Sequence, residues 1–130
     1  MLIRLTASQI QEIHDHEVAQ SGGLPGTKDP GYLDLIAEKP FMEFFGEEMY
    51  PGLFLKAAVL MHGLIKAHCS NDGNKRTAVL AALTFLDING YELDADPDDL
   101  FDVAIAVATN EMDANELASW LELHCIKNYP

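Results

Sequence analysis

The sequence predicts an all-α fold, a bundle of six or seven short helices with an anion-binding loop between two buried central ones. Three observations carry this. Apolar residues recur every three or four positions in one segment after another. Polar caps of the Thr or Asp type open several of those segments, and Gly or Pro closes most of them. No internal repeat divides the chain, and 130 residues are enough to bury about two thirds of the unfolded surface, so one domain over 1–130 is expected.

Ile3 and Leu5 alternate with polar residues and suggest a short strand. Thr6-x-x-Gln9 has the form of a capping box, and Ile10, Ile13 and Val18 approximate one helical face before Gly22-Gly23 stops the helix. The stretch GGLPGTKDPG, residues 22–31, concentrates Gly and Pro and reads as a surface loop or flap; it lies too near the start to separate two domains. Tyr32 to Glu38 reads as a short helix stopped by Pro40, and FMEFFGEEMYPG after it as aromatic, irregular and half packed.

Pro51 permits a helix from about Leu53 to Lys66. Its apolar positions 53, 57, 60, 64 and 54, 58, 61, 65 cover so wide a face that burial on most sides is expected. A second buried helix runs from Asn74 or Lys75 to Leu86 and ends at Asn89-Gly90, a pair suited to a left-handed C-terminal cap. Asp96-Pro97-Asp98-Asp99 starts the next helix with a side-chain cap, a proline at the first position and two carboxylates on the positive dipole end. Asp113-x-x-Glu116 starts the last, which carries Leu117, Trp120 and Leu121.

The net charge of −13 argues against wrapping nucleic acid or sitting on an anionic membrane, since the whole-molecule field repels phosphates. Cys69 and Cys125 are too few for a disulfide framework and have no zinc spacing, and no export signal or membrane-length apolar run is present; a cytoplasmic setting is expected.

Chemistry concentrates in HCSNDGNKR, residues 68–76, between the two buried helices. Three of the eight basic residues, Lys66, Lys75 and Arg76, fall within 66–76, where Asp72 is the only acid, so the field is locally inverted. A loop Asn71-Asp72-Gly73-Asn74 leading into a helix aims free backbone N–H groups at one spot, and Gly73 lets the backbone approach an anion closely. Lys75 and Arg76 in the first turn oppose the helix dipole unless a polyphosphate sits there. Asp72 supplies a hard oxygen for Mg²⁺, and His68 a base for an attacking hydroxyl. The set suggests metal-assisted phosphoryl or nucleotidyl transfer.

Simpler readings of these residues exist. Asp-Gly-Asn alone is a common turn. An EF-hand alignment on Gly73 puts His68 and Val79 where Asp and Glu should stand, and GGLPGTKD lacks Walker spacing. His14 and His16, two apart on a helix, face different ways and make no metal site, while His62 and His124 read as packed or surface histidines.

The stretch 68–76 resembles the Fic/Doc signature H-P-F-x-[DE]-[GA]-N-[GK]-R, matched at His68, Asp72, Gly73, Asn74, Lys75 and Arg76. The flanks KAAVLMHGLIKAH and TAVLAALTFLDINGYEL, and the segment GGLPGTKDPGYLDLIAEKP, are similar to its death-on-curing (Doc) branch. The resemblance implies a compact helical fold in which His68 is the general base, Asp72 the Mg²⁺ ligand, Gly73 and Asn74 part of the phosphate cradle, and Arg76 a phosphate clamp. Lys75 stands where AMP-transferring members usually carry Gly and Doc-like kinases carry Lys. By resemblance, then, the chain is an ATP-dependent toxin kinase acting on a threonine of elongation factor Tu, inhibited by a separate Phd-like antitoxin. The 22–40 segment would help dock the target, with Lys28 where the branch often has Arg; Lys keeps the charge but loses the bidentate fork.

Cys69 and Ser70 replace the family's Pro and Phe. That Phe normally anchors the loop; the catalytic groups themselves remain, so the chain is expected to be active, and whether a loosened loop attenuates it stays open; Cys69 reads as a small filler. Ser8 to Glu12 fits the first five positions of the inhibitory [ST]-x-x-x-E-[GN] helix, but Ile13 follows, and no built-in brake is expected. Two alternatives stay open: AMP transfer, and a catalytically weak module that acts as antitoxin partner and co-repressor.

Overall fold

The computed structural model describes residues 1–21, 30–67 and 74–128. Helix α1 (Ala7–Ser21) begins where the capping pattern sets it. The Thr6 amide donates to Gln9 Oε1 at 2.8 Å and the Gln9 amide to Thr6 Oγ1 at 3.2 Å, satisfying amides that a helix start leaves without a carbonyl. Ile10 and Val18 are buried on its inner face; His14 is buried with them and His16 exposed, as their spacing requires.

Residues 1–6 form no strand, contrary to the expectation for Ile3 and Leu5. Leu5 is buried, but Ile3 pairs with a side chain instead of a strand. Its amide donates to Asn89 Oδ1 at 2.7 Å, while Asn89 Nδ2 donates to the Ile3 carbonyl at 2.9 Å and to the Phe85 carbonyl at 2.8 Å. A carboxamide offers the same donor and acceptor as a peptide group, so one asparagine stands in for a neighbouring strand.

Helix α2 (Pro30–Glu38) runs into a 3-10 turn (Lys39–Phe41). Pro40 sits near the start of that turn, where its missing N–H is not needed. The stretch expected to be irregular and half packed is a tight hairpin: β1 (Glu43–Phe44) pairs antiparallel with β2 (Glu47–Glu48), with Glu43 opposite Glu48 and Phe44 opposite Glu47. Phe45 and Gly46 form the two-residue loop with φ of 51° and 81°. Positive φ at both positions is what the strand twist of such a hairpin favours. Phe45 carries a Cβ in this left-handed region and is 91% exposed, with the neighbouring Phe44 ring against it, so packing gives little back. Phe45→Gly is expected to raise stability by about 0.5–1 kcal/mol, read as a higher urea midpoint at unchanged slope.

Helix α3 (Leu53–Ala67) is the central element and packs most extensively on α4 (Asn74–Ile88) and α6 (Ala114–His124). Seven apolar residues, Ala57 to Met61 with Leu64 and Ile65, are each at most 5% exposed on one side or another of α3, as its double apolar pattern predicts. Lys56 is buried among them, which the sequence did not suggest. Its Nζ donates to Glu48 Oε1 at 2.8 Å and to the Tyr50 carbonyl, so the hairpin supplies the partners that make the burial tolerable.

Helix α4 ends at Asn89-Gly90, with Gly90 at φ 91° as the cap requires. On its inner face Phe85 is 1% exposed and meets the Phe41 ring edge-on, centroids 6.0 Å apart. The Asp96 side chain accepts from the Asp98 amide at the start of α5 (Pro97–Ala108), and Asp113 and Glu116 form the full capping box of α6. A second small sheet was not anticipated: β3 (Tyr91–Leu93) pairs antiparallel with β4 (Cys125–Lys127). These short pairs decorate a helical fold with one hydrophobic cluster drawn from α1 to α6. Among the described residues, no helix is long and apolar enough to cross a membrane.

Candidate functional site

Helices α3 and α4 pack side by side, and residues 68–73 connect them. His68, Asp72 and Gly73 lie outside the described residues, as does Lys28 of the 22–29 stretch. Asn74 is the first residue of α4. Lys75 and Arg76 follow in its first turn, both exposed, and neither forms an ion pair with a described residue. Two unpaired cations where the helix dipole is already positive are unfavourable by a few tenths to one kcal/mol each (~0.3–1). An anion at that helix start reverses the sign. Thr77, next along, has a buried hydroxyl with no hydrogen-bond partner among the described residues, a polar group close to the core that no sequence pattern singles out.

The third cation of the motif region is otherwise engaged. Lys66 Nζ donates to Asn110 Oδ1 and to the Ala108 carbonyl, capping the C-terminal end of α5. Lys75 and Arg76 are the two cations that stand on α4 itself, in its first turn. His62, one turn earlier on α3, is half-buried; burial first, and then the charges of Lys39 and Lys66, lower its pKa from the ordinary 6.5, against an opposing pull from Asp113. Folding thus favours the neutral imidazole. The unfolded chain binds the extra proton, so this contribution to stability is present above pH 6.5 and is lost as pH falls through the window between 6.5 and the lowered value. His62→Gln is expected to lose less stability than wild type between pH 7.5 and pH 5, measured as the difference in urea midpoints.

A groove of about 280 Å³ opens beside Lys75 and Arg76, walled by Val79 and Leu80 of α4, Glu17 of α1, and Pro97 and Phe101 of α5. A second cleft of about 410 Å³ between α1 and α4 reaches the same Leu80 from the other side, through Ile13, Glu12 and His16. Both are mainly apolar, with charged groups at their rims. Cys125 is remote in chemistry as well as in sequence: burial pushes its thiol up to about 11, so it stays protonated at neutral pH. No group of three or more potential metal ligands occurs among the described residues, which leaves Asp72 as the candidate ligand named from the sequence.

A small helical protein, with a cationic helix start at the junction of its two central helices, is the class these features define. Residues 4–86 match the profile of the Fic/DOC family, and the chain belongs to that family. It is 42% identical over 102 residues to Toxin Doc of Mycolicibacterium smegmatis, covering 77% of this chain and 78% of that protein. It is 32% identical over 117 residues to Protein kinase doc of Escherichia phage P1, covering 90% of this chain and 91% of the relative.

Proposed function

We propose that this protein is the toxin of a toxin–antitoxin pair and transfers the γ-phosphate of ATP to a threonine hydroxyl of a protein, elongation factor Tu, so arresting translation. The observation that carries this is the Asn74-Lys75-Arg76 start of α4, with Lys at the position where AMP-transferring relatives of the signature carry Gly. The name of the phage relative, a protein kinase, points the same way.

The donor set fits a magnesium nucleotide. Two exposed cations and a helix start suit phosphate oxygens, and one carboxylate, Asp72, is the usual protein share of a Mg²⁺ site that is completed by phosphate and water. Mg²⁺, when bound, neutralises charge on the phosphate oxygens. His68 takes the proton of the target hydroxyl as the new oxygen–phosphorus bond forms and ADP leaves. Gly73 and Asn74 cradle phosphate through backbone N–H groups, and Lys75 and Arg76 hold the charge that builds up on the transferred group. Lys28 contributes to docking the target. A Phd-like antitoxin inhibits by laying a segment in the apolar grooves that meet at Leu80, which covers Lys75 and Arg76 from the α1 and α5 sides. The setting is cytoplasmic, and neither nucleic acid nor membrane is bound directly.

Purified protein with Mg²⁺ and either γ-labelled or α-labelled ATP in a bacterial extract decides the reaction. Label on one protein from the γ position alone is expected. Label from the α position alone would replace the kinase reading by AMP transfer, and label from neither, with antitoxin binding retained, would leave a binding module, the outcome that Ser70 in place of Phe favours.

A further inference from the structure

The β1–β2 hairpin has its faces reversed relative to a hairpin that covers its own protein. Cross-strand partners share a face and neighbours along a strand do not. Phe44 therefore lies with Glu47, and the Met49 amide, donating to the Met42 carbonyl at 3.0 Å, extends that face to both methionines. Glu43 and Glu48 fall on the opposite face, where Glu48 meets the buried Lys56 of α3. The carboxylate side is thus turned to the body of the protein and the apolar side to solvent. Phe44 is 66% exposed, Met49 49% and Met42 42%, with Phe45 at the tip against the edge of Phe44 at 4.4 Å.

A slip of one residue in pairing would exchange the faces and bury the apolar set. The Lys56–Glu48 pair opposes that slip, because it would leave a lysine ammonium, 1% exposed, without its carboxylate. A rigid apolar face held outward in this way is a contact surface.

We propose that this face docks a cationic, apolar segment of another protein. Glu47 lies within the apolar face, and the paired rings of Phe44 and Phe45 present π-faces that attract a guanidinium or ammonium. The net charge of −13 repels nucleic acid and anionic lipid. A second copy would set Glu47 against the same carboxylate. Basic and apolar together is the chemistry left. The inference holds whichever group the protein transfers, because it uses no residue of the candidate site.

The test is titration of the ¹⁵N-labelled full chain with three synthetic peptides of equal length, alternating Leu/Arg, Ser/Arg and Leu/Glu. Leu/Arg is expected to shift amides 42–49 and to bind at least about tenfold more weakly to Phe44→Ser. Phe45→Gly, which suits the turn, gives a second loss without risk to folding. Glu47→Lys is expected to move the preference to Leu/Glu. Equal binding of Ser/Arg, shifts confined to the grooves at Leu80, or no shift with any peptide overturns the proposal. So does a dimer of the protein alone that Phe44→Ser dissociates.

Discussion

His68→Ala is expected to lower phosphate transfer about 10²–10⁴-fold with the fold intact, the usual worth of a positioned general base. His68 follows Ala67, the last residue of α3, and far-ultraviolet circular dichroism of the variant checks that the helical fold is kept. The loss should fall on kcat rather than on the affinity for ATP, because Lys75 and Arg76 remain to hold the phosphates. Single-turnover transfer from γ-labelled ATP measures it, alongside growth after induction: wild type arrests and the variant does not. Equal toxicity of the two proteins would remove His68 from the mechanism and leave the α4 helix start as a binding feature only.

Phe85→Ala is expected to cost about 3–5 kcal/mol, a large share of the roughly 5–15 kcal/mol by which a domain of this size is stable. The ring is 1% exposed and belongs to the same buried cluster as Ala81, Ala82 and Leu86. The edge contact with Phe41 goes too, and with it part of the attachment of the 3-10 turn. Urea denaturation followed by far-ultraviolet circular dichroism gives the number. Phe85→Leu, which keeps most of the volume, should lose clearly less, and a variant pair with equal losses would mean that the cavity collapses.

The helices were legible because their signals are local. A Thr6 hydroxyl and a Gln9 carboxamide three residues apart, or Asp113 and Glu116, declare a helix start within one turn of chain. The wide apolar pattern of α3 declared its burial for the same reason. What escaped depends on partners distant in sequence. Tyr91 meets Lys127 across the β3–β4 pair, and Lys56 is tolerable in the core only because Glu48 and the Tyr50 carbonyl arrive from a hairpin whose pairing no helical period encodes. A lysine in an apolar helix otherwise reads as a solvent-facing residue. The hairpin itself was obscured by Phe45, since Asn, Asp or Gly is the usual sign of a left-handed turn position.

At the candidate site, order and residue type in 68–76 carried the family, and family membership is established over residues 4–86. Where each cation of the region reaches was not legible. Lys66, one residue before the end of α3, keeps its charge but directs its ammonium to the carbonyl end of α5. Acceptors there come from residues 42 and 44 positions away, which no local pattern announces.

The Asn89 clasp has a consequence for the order in which the chain folds. Most contacts in a helical protein are close in sequence and form early, whereas Ile3 and Asn89 are 86 residues apart. Closing so long a loop is entropically late, so the clasp belongs to the downhill side of the barrier and is absent from the transition state. Asn89→Ala should therefore leave the refolding rate nearly unchanged and speed unfolding on the order of fivefold, the equivalent of about 1 kcal/mol. A chevron in which only the unfolding arm moves is the expected record. The same residue then governs lifetime: the interval before the segment at Ile3 first peels away sets how long the native chain resists proteolysis, independently of how quickly it was made.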